Sequence, residues 1–257
     1  MSAVITNDGF SDVYLYYAIG AAGMASSEFL ITMQACLRTD FASYHTYMSA
    51  APTTYSGGSD YWTAADFNTP HRRSIGSDGT DTVHASAAPL AYKWFRMAFQ
   101  RVSAGGTTRD HYFWIWDMDG TNEVEVKKLV TDTDGLTYQA STRLTFGAPP
   151  YTTNEGVDGW IRCVKAWEIP RTKAEALAES ASGYIETGNG TTSLWGQYPL
   201  RSDGNDISGN ARHLSIELNA QPASSLVFDG EPDPAHGGGK NVTRTRRPAI
   251  FAPGIAR

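Results

Sequence analysis

The sequence contains few cysteines and few charged residues. Among its 257 residues there are only 2 cysteines, Cys36 and Cys163, and each lies in an apolar stretch typical of a strand. This placement favours buried free thiols, although the sequence leaves a disulfide between them open. Charged residues make up 19% of the chain, whereas aromatic residues reach 12% and glycine occurs 25 times. Because surface helices usually carry more charge, the composition favours short strands joined by glycine turns.

The sequence also lacks the features of membrane proteins and of nucleic-acid binders. No stretch approaches the roughly 18 consecutive apolar residues of a membrane-spanning helix. The first residues, Met1–Gly9, have neither the charged start nor the apolar core of a signal peptide. The formal net charge is −6, whereas contacts to phosphate need clustered Lys and Arg. We therefore expect no membrane partner and no nucleic-acid partner.

Strand-like segments recur along the chain and are separated by turn-forming pairs. Asp119-Gly120, Asp134-Gly135 and Asp158-Gly159 are such pairs, since glycine supplies the positive φ of a tight hairpin. Many short strands with this spacing predict an all-β fold, a two-sheet antiparallel jelly-roll sandwich. We expect one domain over residues 1–228, in which roughly the first 20 residues form an arm or an edge strand. An extended C-terminal arm is expected over residues 229–257, which are rich in Pro and Gly and have no periodicity.

One short helix is predicted. Thr172 and Glu175 form a T-x-x-E capping box, in which the two residues cap each other's backbone N–H groups. Pro170 prevents the helix from extending upstream, and Gly183 is placed to end it. The apolar stripe of this helix consists of Ala174, Leu177, Ala178 and Ala181.

Several segments follow one another in an order typical of one superfamily. They are Trp94–Phe99, Trp114–Gly120, Leu144–Gly147, Gly159–Trp167, Thr172–Ser182, Trp195–Leu200 and Asp206–Leu214. Together they resemble the concanavalin A-like, or laminin G-like, superfamily. The best match is Gly159–Trp167, which is similar to the family's G-x-I-D-x-V-R-I-W strand. The resemblance covers approximately residues 25–230 and implies a concanavalin A-like jelly roll.

Two departures from the family pattern matter. Arg162 stands where the family usually has Asp, which puts any role of that carboxylate in doubt. The segment that begins at Trp195 is usually N-terminal in the family, whereas here it follows the helix. Because the termini of a domain often lie close together, this order is physically tolerable.

The resemblance extends to a class of proteins. Chains of this layout, with a short tail ending like Phe251–Gly254, resemble virion components of tailed phages. This implies a non-enzymatic virion surface protein, either head decoration or tail-associated, with carbohydrate binding as a further role. It would be made in the host cytoplasm and located on the virion. The alternative is a stand-alone, lectin-like glycan-binding module, and a glucanase-like glycoside hydrolase is less favoured.

The carboxylates give little support to catalysis. Glucanases of this superfamily carry E-x-D-x-x-E, because retaining hydrolysis needs an acid and a nucleophile about 5 Å apart. The nearest string here begins at Glu123 and includes Glu125, but it lacks the third carboxylate and the Asp. Alternation on a strand predicts that both are solvent-facing charges. No G-x-S-x-G, H-E-x-x-H or P-loop motif occurs, and we expect no enzyme activity.

One loop concentrates oxygen donors. Its candidate metal ligands are Asp203, Asn205, Asp206 and Asn210. Carboxylate and amide oxygens are ligands that Ca²⁺ prefers, so a bound Ca²⁺ is one interpretation. The other is a set of Asx-turns, in which these side chains cap their own backbone.

Aromatic residues mark two candidate binding surfaces. On the strand His111–Asp117, alternation places Tyr112, Trp114 and Trp116 on one face and His111, Phe113, Ile115 and Asp117 on the other. One face packs into the core, and alternation leaves open which one, since a slip of one residue exchanges them. The other face either lines a concave sheet that binds sugars or is covered by a loop, and we favour the loop.

A long loop is predicted over Ala51–Arg73. Its candidate glycan-binding residues are Tyr55, Tyr61, Trp62, Asp66, Asn68, His71 and Arg73. Their mixture of rings and hydrogen-bonding groups suits a glycan, a protein interface or an ordinary packed loop.

The C-terminal tail is predicted to contact another subunit. Pro stiffens such an arm and lowers the cost of ordering it. The residues expected to make this contact are Arg247, Ile250, Phe251 and Arg257. The expected partners are other virion subunits or copies of the same chain as a homo-oligomer, together with a cell-surface glycan.

Overall fold

The computed structural model describes residues 3–5, 13–20, 24, 28–37, 45–54, 62–68, 71–77, 80–85, 92–131, 138–151, 155–181, 193–200, 203–218 and 226–228. The strands are β1 (Ala3–Ile5), β2 (Tyr14–Ala18), β3 (Phe29–Leu37), β4 (His45–Pro52), β5 (Trp62–Asn68), β6 (His71–Ser77), β7 (Thr80–Ala85), β8 (Trp94–Gly105), β9 (Thr108–Asp117), β10 (Val124–Thr131), β11 (Thr142–Phe146), β12 (Gly159–Trp167), β13 (Leu194–Tyr198), β14 (Ser215–Glu217) and β15 (Leu226–Phe228). The helix α1 is Lys173–Ala181. No helix in these ranges is long and apolar enough to span a membrane.

The strands form two antiparallel sheets. Sheet A has the order β10-β9-β8-β3-β12-β1-β15, with β13 also paired to β12, and sheet B has the order β14-β2-β11-β4-β5-β6-β7. This architecture confirms the predicted two-sheet antiparallel sandwich of jelly-roll type with one short helix. The predicted C-terminal arm over residues 229–257 lies outside the described residues.

The position of β1 corrects one expectation about the N-terminal segment. Ala3 pairs with Ile161 of β12 on one side and with Phe228 of β15 on the other. A strand with partners on both sides is neither an arm nor an edge strand. Its two neighbours come from distant parts of the chain, and such long-range pairing leaves no local pattern in the sequence.

The main core lies between the two sheets. Inward-facing positions alternate along each strand, so that Phe113 and Ile115 of β9 join this core while Trp114 and Trp116 do not. At its centre the rings of Trp62 and Phe99 stack, with centroids 4.3 Å apart and planes at 11°. This contact joins Trp62 of sheet B to Phe99 of sheet A across the core.

A second, smaller apolar cluster lies on the outer face of sheet A, under α1. Trp114 and Trp116 stack with centroids 6.1 Å apart, and both are buried. Leu30, Ala98, Trp167 and the helix residue Ala176 complete the layer. Core packing of both faces of β9 is the prediction favoured by the sequence, and the structure confirms it. The cover is a helix, however, and not the expected loop.

Both ends of α1 are capped. Thr172 and Glu175 form the predicted capping box: the Thr172 N–H donates to Glu175 Oε2 at 2.8 Å, and the Glu175 N–H donates to Thr172 Oγ1 at 3.3 Å. At the other end, Gln34 Nε2 donates to the carbonyl of Ser180 at 2.8 Å. Lys165 Nζ donates to the carbonyl of Glu179. These side chains from β3 and β12 satisfy carbonyl groups that a helix C-terminus leaves unpaired.

Cys36 and Cys163 are free thiols. Cys36 is buried on β3, and burial raises the pKa of its thiol to about 12. Such a thiol stays protonated at neutral pH and is a poor nucleophile. The interpretation as free thiols is therefore confirmed for both residues, although Cys163 is only half-buried.

Candidate functional site

The predicted glycan-binding loop is largely a β-hairpin. Residues 62–68 and 71–77 pair as β5 and β6, with Asp66 opposite Arg73 and Asn68 opposite His71. The expectation of a long loop over residues 51–73 is therefore wrong for its second half. Small and polar residues dominate this hairpin, so the alternation that marks a strand is weak there.

The predicted glycan-binding residues fall into three groups. Tyr55 and Tyr61 lie outside the described residues. For Asp66, Asn68, His71 and Arg73 the structure gives the backbone register, and their role in glycan binding stays a prediction. Trp62 is a correction: its side chain is fully buried in the main core. A ring with no accessible surface cannot stack on a sugar, so Trp62 is a core residue.

At the centre of sheet B, the outward-facing hydroxyl side chains that the structure describes are buried. The outward positions Ser49, Thr63 and Thr145 are at most 2% exposed, and the hydroxyls of Ser49 and Thr145 hydrogen bond to each other at 2.7 Å. Towards the edge of the sheet, Arg143 donates to Tyr14 at 2.8 Å and to Glu217 at 3.0 Å. This arginine therefore links β11 to β2 and β14.

The oxygen-rich loop uses its side chains to hold its own backbone. Asp206 accepts hydrogen bonds from the N–H groups of Gln197 at 2.9 Å, Ser208 at 2.9 Å and Arg212 at 3.1 Å. Burial raises the pKa of Asp206, but these bonds outweigh it and hold the pKa below the usual value. Asn210 Nδ2 donates to the Leu194 carbonyl at 2.8 Å. The bond from Ser208 to Asp206 is an Asx-turn, whereas the bonds to Gln197 and Leu194 attach the loop to β13.

Ca²⁺ binding at this loop stays a prediction. Asp203 Oδ1 accepts from the N–H of Asn205 at 3.0 Å, so a third side chain of the loop also caps its backbone. In the ranges that the structure describes, no group of three or more His, Cys, Asp or Glu side chains is arranged to hold a metal ion. Amide and backbone oxygens would have to supply most of the ligands.

The carboxylates of the hydrolase alternative are already engaged. Trp116 Nε1 donates to Glu123 at 3.0 Å, and Trp114 Nε1 donates to Glu125 at 2.7 Å. Lys173 of α1 lies 2.7 Å from Glu123 and 3.4 Å from Glu125. Burial raises the pKa of Glu123, but the bonds from Lys173 and Trp116 outweigh it and lower the pKa. A general acid requires the opposite shift.

A cluster of partly exposed aromatic side chains lies on the outer face of sheet A, beyond the C-terminal end of α1. We call Tyr92, Trp94 and Trp160 the aromatic platform. Trp94 of β8 and Trp160 of β12 are both in register with Cys36 of β3, which lies between them. Their backbones are thus about 10 Å apart, or two strand spacings. Tyr92 is 45% exposed, and its ring centroid lies 6.0 Å from that of Trp160 at 53°.

A row of polar side chains runs beside the aromatic platform. Gln34 of β3 is in register with Arg96 of β8 and with Arg162 of β12. The Arg162 guanidinium carbon lies 3.9 Å from the centroid of the Trp94 ring, a cation–π contact. Arg162 Nε donates to Gln34 Oε1 at 2.8 Å, and the other end of that amide holds α1. We call Arg96, Gln34 and Arg162 the arginine row.

Sequence reasoning missed this surface, although a signal was present. Trp94-x-Arg96 and Trp160-x-Arg162 repeat one W-x-R pattern on two strands. Both β8 and β12 are antiparallel to β3, so they run in the same direction and align the two patterns as two rows. In the sequence, Arg162 stands out only as a departure from the family pattern. In the structure, Arg162 is the arginine of the second W-x-R pattern and lies in the same row as Arg96 of the first.

No protein-family model matches this chain, and no curated protein matches it. Among solved structures, it is similar to the enzymatically active domain of tailspike protein 2 of bacteriophage CBA120. The identity is 13% and the TM-score 0.49, and the match covers 73% of this chain and 28% of the tailspike chain. This chain therefore spans less than a third of that protein's length.

Sialidase structures are also similar. The CBM40 of the Ruminococcus gnavus IT-sialidase, bound to α2,3-sialyllactose, has 10% identity and a TM-score of 0.49, with 71% of this chain and 97% of that chain covered. The K499G mutant of NanB sialidase from Streptococcus pneumoniae has 10% identity and a TM-score of 0.48, with 73% and 28% covered. The similar structures thus include a tailspike domain and a carbohydrate-binding module. At such identities the likeness says nothing about the activity of this chain, and the concanavalin A-like assignment stays a prediction.

Proposed function

We propose that this protein binds glycans without catalysis and that the aromatic platform is its binding surface. One observation carries the proposal: the partly exposed rings of Trp94 and Trp160 lie on one face of sheet A, with Tyr92 against Trp160 and the Arg162 guanidinium over Trp94. A sugar presents an apolar C–H face and a rim of hydroxyls, which suit aromatic rings and hydrogen-bond donors respectively. Because strands fix the backbone of the platform, little ordering is required on binding.

The arrangement of the carboxylates supports a role without hydrolysis. Glu123 and Glu125 accept hydrogen bonds from two indole groups and pair with Lys173. They lie beside the N-terminal end of α1, where Lys173 is located, whereas the aromatic platform lies beyond its C-terminal end. A glycan on the platform would therefore not meet this carboxylate pair.

We further propose that the protein is displayed on a phage virion. This rests on the sequence resemblance and on the physics of weak binding. An open surface of three rings suits an affinity near millimolar, worth about 4 kcal/mol. Many copies on one particle would raise the effective affinity through avidity. Immunogold electron microscopy of purified particles tests the location. We expect regular labelling of the particles. Unlabelled particles would contradict the virion location and favour the alternative of a stand-alone glycan-binding module.

Replacing Trp160 by Ala is expected to weaken glycan binding about tenfold or more, because each 1.4 kcal/mol of lost contact is a factor of ten. A glycan array identifies ligands, and isothermal titration with the strongest of them compares the variants. Leu129→Ala is the matched control, since this residue is an apolar side chain with 62% exposure on β10, away from the platform. It should bind like the wild type.

Two results would contradict the proposal. One is an array on which the folded protein retains no glycan. The other is unchanged affinity in Trp160→Ala, with circular dichroism and a thermal melt showing that the variant is folded. Binding lost in Leu129→Ala but kept in Trp160→Ala would move the site to another part of the sheet.

A further inference from the structure

We infer that the aromatic platform and the arginine row together select glycans that carry a carboxylate. This inference rests on the proposed glycan binding and names the class of ligand. Its basis is a local pair of positive charges: the chain has a net charge of −6, yet Arg96 and Arg162 lie on either side of Gln34, next to the platform.

The two arginines are placed to act on one ligand. They lie on either side of Gln34, on strands that run in the same direction. Their backbones are about 10 Å apart, and each side chain is long enough to extend along the platform. A guanidinium presents forked donors that match a carboxylate, with two parallel hydrogen bonds. A pyranose stacked on Trp160 could therefore direct an equatorial carboxylate towards the arginine row.

Arg162 is held in position before any ligand arrives. The Trp94 ring supports its guanidinium at 3.9 Å, and the Gln34 amide fixes its Nε. Gln34 in turn is bonded to the carbonyls of Ser180 and Ala181, at 2.8 and 3.2 Å. This chain of contacts lowers the entropy cost of using a long side chain for recognition. Gln34 therefore connects Arg162 to the C-terminal end of α1.

Arg96 provides the second positive charge. Its Nε is buried and has no hydrogen-bond acceptor in the part of the chain that the structure describes. Asp119 is the nearby carboxylate: bonds from Thr121 chiefly lower the pKa of Asp119, and the charge of Arg96 lowers it further. Asp119 is exposed and already accepts the Thr121 N–H at 2.9 Å. Arg96 is half-buried and in register with Gln34, so we assign the exposed part of its side chain to the ligand carboxylate.

A purely structural role for Arg162 makes a different prediction. If the arginine only stabilised the sheet, its loss would lower the melting temperature and weaken the binding of every glycan alike. If it recognises a carboxylate, its loss would remove the preference for acidic glycans and leave neutral ones unaffected. The ratio of the affinities for the charged and neutral forms of one glycan therefore distinguishes the structural role of Arg162 from the recognition of a carboxylate.

The experiment uses an array of uronic acids and other carboxylated glycans, each also present as its methyl ester, followed by titration of the best pair. Esterification removes the charge and keeps the ring. We expect the acid to bind about tenfold more tightly than the ester, which is 1.4 kcal/mol. Arg162→Gln should reduce acid binding to the level of the ester, and Arg96→Gln should reduce it in part. Lys127→Gln removes the same charge at a distant, 48% exposed position and should keep the preference.

The outcomes separate this inference from the proposed function. Acids and esters that bind the wild type equally would overturn the selection of carboxylates while glycan binding stands. The selection is likewise overturned if Arg162→Gln weakens both forms by the same factor, or if Lys127→Gln abolishes the preference as Arg162→Gln does. An array with no retained glycan in either form would overturn the proposed function, and the inference with it.

Discussion

Trp62→Ala is expected to lower the free energy of unfolding by about 3–5 kcal/mol, the usual cost of truncating a buried large aromatic side chain. Trp62 has no accessible surface. Its ring stacks on Phe99 at 4.3 Å and lies 5.4 Å from Phe29. Its Nε1 also donates to the hydroxyl of Tyr138 at 3.3 Å. The substitution therefore opens a cavity between the sheets and removes a buried hydrogen bond. Urea denaturation, followed by tryptophan fluorescence and circular dichroism, measures the change.

Two further variants give this prediction its controls. Trp62→Phe keeps most of the apolar volume and loses the hydrogen bond, so we expect a cost of about 1–2 kcal/mol. Tyr92→Ala removes a ring that is 45% exposed and should change stability by about 0.5 kcal/mol or less. A small effect of Trp62→Ala, or an equally large effect of Tyr92→Ala, would contradict the distinction between core and platform. It would also reopen the interpretation of Trp62 as a glycan-binding residue.

The parts of the fold that could be predicted from the sequence depend on local physics. The capping box is one example, because Thr172 and Glu175 are three residues apart and their contacts need no other element. The faces of β9 are another: alternation alone separates Phe113 from Trp114. What covers the second face could not be predicted from alternation, because the docking of α1 depends on the distant residues Gln34 and Lys165.

The missed elements are those in which the pattern is weak or the partners are remote. In the β5–β6 hairpin, Thr63 and Ala64 differ little in hydrophobicity, although one faces outwards and the other joins the core. The aromatic platform has a different cause. Trp94 and Trp160 lie far apart in the sequence, and only the pairing of β8 and β12 to the same β3 brings them together. Register between distant strands is a tertiary property.

An unusual feature of the interior is a group of basic residues near one end of the core. Arg101, His111 and Lys128 are all buried. Arg101 Nε donates to His111 Nε2 at 3.1 Å, so this nitrogen is the acceptor and the neutral imidazole carries its proton on Nδ1. Burial lowers the pKa of His111 to about 3, and the charges of Arg101 and Lys128 contribute to the same shift. Protonation would place a third positive charge here and would turn the acceptor of Arg101 into a donor.

The linkage between protonation and folding fixes the sign of the pH dependence. In the unfolded chain His111 titrates near its ordinary pKa of 6.5, whereas in the fold the pKa is about 3. Between these values the unfolded state binds the proton and the native state does not, so stability falls as the pH falls. His111 should thus cost about 2 kcal/mol between pH 7 and pH 5. Below that range, carboxylates with lowered pKa, such as Asp206, add to the loss.

The measurement is the free energy of unfolding in urea at several pH values between 7 and 5, for the wild type and for His111→Gln. Glutamine keeps an oxygen that can accept the Arg101 hydrogen bond, and it does not titrate. We expect the wild type to lose about 2 kcal/mol more than the variant across this interval. His45, whose pKa is also lowered by burial, is present in both proteins and cancels in the comparison. Parallel curves would show that His111 is not held neutral by the fold, and that the cluster is open to water or paired differently.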